Sequence, residues 1–358
     1  MEHKSQSFNA IDLTKFICAF WVIVIHVEPF GPDPSGVSSF FSLLTEHYLA
    51  RLAVPFFFIT SGFLLFYKMS PDSFSMERPI RYAKRIFRIY LIWSVIYIPL
   101  AVRKLLREED GSPLKLLVIY LRNFIFKGSH TQLWYLPALI FAVLLVSVLL
   151  MLKIKPIAIL VGSAIFYIIG LFGQSWFGFV EPLEEHVPGI WSVLEHIMSV
   201  IVTTRDGLFD GFFFVAAGMC FAFCEIRIEK KKAQIGLVIS MILLFVEAFL
   251  LEYFDIQKER NMYLFLMPAS VLIFALIYRV NLKDKPIYKT LRVLSALIFY
   301  LHMWVDFFVR RFLELWSREL ADSVLRFLLV AIGSVLLALL LYKMSEYEKL
   351  KWMKKIYA

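Results

Sequence analysis

Residues 15–30 read KFICAFWVIVIHVEPF, and their apolar core carries one imidazole, His26, eleven residues after Lys15. Eleven residues make about three helical turns, so both side chains fall within about 20° of one helix face, roughly 16 Å apart along the axis. An ionisable group held in hydrocarbon costs about 2.5–3.5 kcal/mol on insertion scales and is a functional candidate by default. Asp12 precedes Lys15 by three residues and is placed to pair with it. A second ring stands in SALIFYLHMWVD, where Ser295 and His302 are seven residues apart, Tyr300 lies between them and Asp306 follows one turn later. A carboxylate there would orient the ring and hold a protonated form. Two buried histidines with an acid beside one of them suit proton transfer in a polar lining. The plainer alternative is a pair of neutral rings hydrogen-bonded to neighbouring helices.

Three further groups add charge. In RPIRYAKRIFRIY, Arg81, Arg85 and Arg88 follow at i, i+4 and i+7, one stripe of guanidinium forks of the kind that grips phosphate in two places. Positive-inside anchoring explains Arg81 equally well. In TTRDGLFDG, Arg205, Asp206 and Asp210 stand at the mouth of an apolar run, either to bind an acceptor or to cap a helix and pair with one another. Trp134 and Tyr135 in TQLWYLPA have the composition of an interfacial belt. Ser61, Gly62, Gly211, Ala217 and Gly218 are explained by close helix packing.

The elements that must hold these groups are membrane helices. Of 358 residues, 60% are hydrophobic, 17% aromatic and 19% charged, against about 45–50% apolar and about 25% charged in a soluble domain. The excess falls in blocks of about 20 residues, the length that crosses about 30 Å of hydrocarbon. The pattern predicts an all-α polytopic protein of ten spans: Ile11–Phe30, Tyr48–Lys68, Tyr82–Val102, Gln132–Leu152, Pro156–Gly173, Asp206–Glu225, Ala233–Tyr253, Asn261–Val280, Thr290–Phe312 and Ser323–Lys343. Basic segments such as ERPIRYAKRIFR, EIRIEKKKA and KLKWMKK predict both termini on the cytoplasmic side. The basic stretch RKLLREEDGSPLKLLVIYLRNFIFKG dissents, and its amphipathic LKLLVIYLRNFIF part reads as a helix lying flat on the membrane. The formal net charge of +9 suits anionic lipid and gives no call for nucleic acid. Cys18, Cys220 and Cys224 have neither a zinc nor a redox spacing and read as packing residues. The first span is not expected to be a cleaved leader, and residues 1–358 are expected to form one membrane domain. No phosphate loop, zincin motif, nucleophile elbow or dinucleotide fingerprint is present.

The quoted stretches IDLTKFICAFWVIVIH, PFFFITSGFLL, RYAKRIFRIY, LWYLPA and SALIFYLH, in this order along nearly the whole chain, resemble the acyltransferase family 3 membrane proteins. Within that family, YIIGLFGQSWFG, TTRDGLFDGFFFVAAGM and YFDIQKERNMYLFLMP resemble the membrane half of the vancomycin-resistance serine racemases. Those racemases continue into a soluble pyridoxal-phosphate domain with no counterpart in these residues, so neither racemase activity nor pyridoxal phosphate is expected here. Lys15 also departs from the arginine common at that place in the family.

The resemblance implies an O-acyltransferase of a bacterial plasma membrane, taking an acyl group, acetyl first, from cytoplasmic acyl-CoA to an extracytoplasmic hydroxyl such as one on an envelope glycan. Arg81, Arg85 and Arg88 would then meet the CoA phosphates. His26 would act as general base, or carry the acyl group briefly itself, with Lys15 on the same stripe. His302, Ser295 and Tyr300 would polarise the carbonyl or seat the acceptor, and Arg205, Asp206, Trp134 and Tyr135 would guide it in. No metal is implied, and a homodimer stays open. The competing reading is a carrier of a small amino acid such as L-serine, with Lys15, His26 and His302 as gating or proton-coupling residues.

Overall fold

The computed structural model describes residues 8–31, 36–71, 73–109, 111–224, 226 and 228–358. The N-terminal tail, residues Pro32–Ser35 of the loop after α1, and Glu225 and Arg227 of the basic EIRIEKKKA segment lie outside the described residues. Among the described residues there is no strand, and twelve helices of more than ten residues account for the architecture. They are α1 Asn9–Val27, α2 Val37–Phe66, α3 Glu77–Glu108, α4 Pro113–Phe126, α5 Tyr135–Met151, α6 Pro156–Leu171, α7 Pro188–Ile201, α8 Gly207–Phe223, α9 Lys230–Tyr253, α10 Leu266–Ile277, α11 Pro286–Glu314 and α12 Val324–Glu346.

Six of them, α1, α2, α3, α9, α11 and α12, are long and apolar enough to cross a membrane. The chain is a multi-pass membrane protein. Helices also occupy the other four predicted spans, but α5, α6, α8 and α10 are shorter apolar helices of 10–17 residues. The outward faces agree with a lipid setting. On α12, Leu325, Leu329, Ile332, Leu336 and Leu340 recur at helical spacing and are all exposed, a stripe that water would penalise and hydrocarbon accepts.

Three elements differ from the sequence reading. α3 runs 32 residues, from Glu77 to Glu108, well beyond the predicted Tyr82–Val102. Its ends are polar, so hydropathy hides turns that the backbone completes; Arg103 and Arg107 of the dissenting basic stretch sit on its last turns. α2 is not uniform: residues Leu43–Leu49 form a π-helical turn and Ala50–Leu52 a 3-10 turn. α4 begins at Pro113 behind Ser112, whose hydroxyl accepts from the Lys115 amide, and none of its residues is buried. Fourteen residues span about 21 Å, too little to cross, while Leu114, Leu117, Val118, Leu121 and Ile125 leave an exposed apolar face.

The chain divides into two compact units. The first holds residues 1–57, 228–245 and 265–357, built on α1, α10, α11 and α12; the second holds 58–227 and 246–264 with Ala358, built on α3 to α8. In the first unit α1 and α11 run parallel: Asp12 meets Arg292 near their starts and His26 meets His302 further along. α12 returns antiparallel, so that Arg326 on its first turn meets Asp306 near the end of α11. In the second unit α8 packs against α5 and α6.

Candidate functional site

The centre of the first unit is a pair of imidazoles. His26 and His302 stack with ring centroids 5.3 Å apart and planes 28° from parallel. His302 is fully buried, and its Nδ1 lies 3.1 Å from the Ile298 carbonyl oxygen one turn back. A carbonyl only accepts, so Nδ1 carries a proton and donates it to Ile298. Phe299 flanks the same ring at 6.4 Å. Tyr300 is buried against Phe299, at 5.2 Å. The Ser295 hydroxyl donates to the Arg292 carbonyl at 2.9 Å and so serves its own helix.

The acids expected to serve this centre are held elsewhere. Asp12 is forked by Arg292, Nε to Oδ1 at 2.9 Å and Nη2 to Oδ2 at 2.6 Å. Asp306, expected to orient His302, is forked by the buried Arg326 at 2.7 and 2.8 Å. Both forks have one cause. An arginine reaching from another helix satisfies both carboxylate oxygens in parallel, which a neighbour on the same helix turn does not. Arg326 also donates from Nη1 to the carbonyls of Val27, at 3.2 Å, and Ala321, at 3.3 Å. Lys15 itself is half-buried on α1.

The remaining predicted residues belong to the second unit. Arg81, Arg85 and Arg88 are exposed along one side of α3. Arg81 pairs with Glu77 at 3.5 Å, the Arg85 guanidinium lies over the Tyr82 ring at 5.1 Å, and Arg88 donates to the Ala358 main-chain oxygen at 2.9 Å. Arg205 lies over the Trp134 indole at 4.8 Å and donates from Nη1 to Asn261 Oδ1 at 2.9 Å. Asp206 caps the π turn that opens α8, accepting from the amides of Leu208 at 2.8 Å and Phe209 at 2.9 Å. Tyr135 and Ser61 share a hydroxyl contact at 3.1 Å, and Phe58 packs on Tyr135 at 4.6 Å. Cys18, Cys220 and Cys224 are free thiols, the first two buried. Among the described residues no cluster of three metal-ligating side chains exists.

Residues 8–343 match the family whose description is acyltransferase domain, of the acyltransferase 3 type. The chain belongs to the acyltransferase 3 family. It is 30% identical over 354 residues to an amino-acid racemase of Enterococcus faecalis, covering 97% of this chain and 47% of that protein. It is 31% identical over 277 residues to a serine/alanine racemase of Enterococcus gallinarum, covering 76% of this chain and 37% of that protein. The chain therefore spans less than half the length of these curated relatives. No solved structure matches it.

In this acyltransferase 3 chain the sequence reading missed Arg292 and Arg326. Arg326 carried one signal: it is an arginine within the first turn of the apolar run VLRFLLVAIGSVLLALLL, a position where a cation needs a buried partner.

Proposed function

We propose that this acyltransferase 3 membrane protein moves an acyl group, acetyl first, from cytoplasmic acyl-CoA to a hydroxyl of an extracytoplasmic acceptor such as an envelope glycan. The observation that carries this reading is the His26–His302 stack, two imidazoles in contact inside an apolar helix pair. Residues that only pack do not need two basic rings there, whereas proton transfer does.

In this reading His26 takes the proton from the acceptor hydroxyl as its oxygen attacks the thioester carbonyl. The C–S bond then breaks, and the leaving CoA sulfur takes that proton back from the imidazolium, giving an ester and free CoA thiol. General-base help of this kind is worth about 10²–10⁴-fold. His302, held by Ile298, fixes the neighbouring ring and positions the acceptor, with Ser295 and Tyr300 shaping that stretch of α11. The exposed forks of Arg81, Arg85 and Arg88 meet the CoA phosphates, and Lys15 adds positive charge on the α1 stripe. Trp134, Tyr135 and Arg205 receive the acceptor. The amphipathic α4 lies on the bilayer surface.

A second reading is a carrier of a small amino acid such as L-serine, with Lys15, His26 and His302 as gating or proton-coupling residues. One experiment separates them. Purified protein is incubated with acetyl-CoA, and free thiol release is followed with and without candidate acceptors. Wild type is expected to turn over slowly, His26→Ala not at all, and Arg85→Ala to bind CoA more weakly. Absence of acyl-CoA binding, with serine accumulating in proteoliposomes, replaces the transferase by the carrier.

A further inference from the structure

Four arginines in this chain show what a guanidinium does when it is held rigidly. Arg292 meets Asp12, Arg326 meets Asp306 and Arg260 meets Glu252, each through Nε and Nη2 together, at 2.6–2.9 Å. That side-on edge matches the two oxygens of a carboxylate. Arg205 is held as firmly as these. Its guanidinium carbon lies over the Trp134 ring, 4.8 Å from the centroid, and Asn261 fixes Nη1 at 2.9 Å. Asn261 is in turn anchored to Gln174 Oε1 at 3.1 Å, and Gln174 to Thr203 at 3.1 Å, whose hydroxyl also accepts from the Arg205 amide at 3.1 Å. Yet the Nε of Arg205 is buried with no hydrogen-bond partner, and among the described residues no carboxylate forms an ion pair with this guanidinium.

Asp206, its chain neighbour, caps α8 through Oδ1 and forms no ion pair with Arg205. The acids that Arg205 feels electrostatically are Glu259 and Asp210. Glu259 accepts from the Asn261 amide at 3.0 Å, and Asp210 is buried in the π turn. Neither supplies the missing fork. A buried donor left unmade costs about 1–3 kcal/mol, and more when charged, so the edge is set for an acceptor that arrives from outside the chain.

We infer that the Nε–Nη2 edge of Arg205, over the Trp134 indole, is the seat of a ligand carboxylate, which makes the acceptor a small carboxylic acid. This deepens the proposed acceptor role of Arg205 and rests on that reading for calling the ligand an acceptor. Planarity selects the class: a carboxylate lies in the plane of the guanidinium and keeps to the indole face. A tetrahedral phosphate dianion would bring twice the charge toward Asp210 and Glu259. The carboxylate can belong to a free amino acid or to a sugar acid; the chemistry at Arg205 is the same.

The test needs no acyl-CoA. Detergent-purified protein is titrated with L-serine and with glucuronate as probes, and with L-serinamide, glucose and inorganic phosphate as comparisons, reading tryptophan fluorescence and thermal shift. At least one carboxylate is expected to bind about 10–100-fold more tightly than its uncharged analogue. Serine alone marks a free amino acid, glucuronate alone a sugar acid, and both mark the shared group. Arg205→Gln is expected to lose that preference and Arg205→Lys to lose most of it, since a point charge lacks the fork. Arg260→Gln is expected to keep it. The wild-type analogue series stands even if an Arg205 variant folds poorly. Equal binding of charged and uncharged analogues, binding of phosphate above both carboxylates, no binding of either carboxylate, or full retention in Arg205→Gln overturns the inference. Loss of thiol release with carboxylate binding intact would sink the transferase reading alone.

Discussion

Arg326 holds Asp306 through Nε–Oδ1 and Nη2–Oδ2 bonds of 2.7 and 2.8 Å, one helical turn beyond His302. Its third nitrogen donates to the carbonyl of Val27, the residue after His26. One guanidinium therefore ties the end of α1 to α11 at the level where the two imidazoles stack. Breaking a buried pair strands a charge and costs about 3–5 kcal/mol. Arg326→Met and Asp306→Asn are each expected to destabilise the detergent-solubilised protein by about that much, read as a lower melting temperature. The double change to Met and Leu is expected to recover part of it, because no charge is then left alone. Thiol release should fall in both single variants as the histidine register loosens. An Arg326→Met protein that melts with wild type would show that the clamp holds nothing.

α2 and α8 cross with their backbones in contact, and glycine makes this geometry available. A Cβ on Gly218 would overlap the Ile59 carbonyl, and one on Gly62 would overlap the Val215 carbonyl, neither of which can move aside as a flexible side chain would. Gly218→Ala and Gly62→Ala are each expected to cost about 1–3 kcal/mol. Gly162 on α6 is the contrast: nothing lies within 4 Å of an added Cβ. Gly162→Ala is expected to be neutral or to gain up to about 1 kcal/mol from helix propensity. Thermal melts of the three variants side by side check the order, and a stable Gly218→Ala protein contradicts the close crossing.

The two histidines were legible in the sequence because each is an ionisable ring in an apolar run, and a helical period places it on a face. Their mutual contact was not, since nothing in the local pattern says that α1 lies beside α11. The partners of Asp12 and Asp306 failed for a related reason. The helical neighbour rule favours residues three or four positions away, but the arginines that won are 280 and 20 positions away. A bidentate fork outweighs an i,i+3 or i,i+4 contact worth about 0.2–0.5 kcal/mol. The extent of α3 was hidden because hydropathy registers only its apolar middle. Close packing at Gly62 and Gly218, by contrast, was legible from residue size alone.

Asp206 accepts two amide hydrogens at the start of α8 and so acts as its cap. A cap needs an oxygen, not a charge. Asp206→Asn is therefore expected to keep stability within a few tenths of a kcal/mol, and Asp206→Ala to lose about 1 kcal/mol. In acceptor titrations of thiol release, Asp206→Asn should leave the apparent KM for acceptor unchanged while Arg205→Gln raises it. A large KM change in Asp206→Asn would return that carboxylate to the acceptor site.

His130, in the loop between α4 and α5, ties pH to stability. It is buried, stacks on Tyr97 at 4.7 Å and hydrogen-bonds through Nδ1 to Gln132 Oε1 at 2.6 Å. Burial, with the positive charge of Lys104 adding to it and the Gln132 bond opposing, pushes its pKa from 6.5 down to about 4. Between those values the unfolded chain binds a proton that the folded protein refuses, so stability rises with pH through this window. The contribution is full above the unfolded value of about 6.5 and is lost progressively as pH falls toward about 4; its ceiling is about 3 kcal/mol. Unfolding of wild type and His130→Phe, followed at pH 7 and at pH 4.5, is expected to show a larger acid loss in wild type. Replacing Lys104 with Gln should raise the His130 pKa and narrow the window from below. Parallel stability curves for wild type and His130→Phe would mean that the loop admits the protonated ring without penalty.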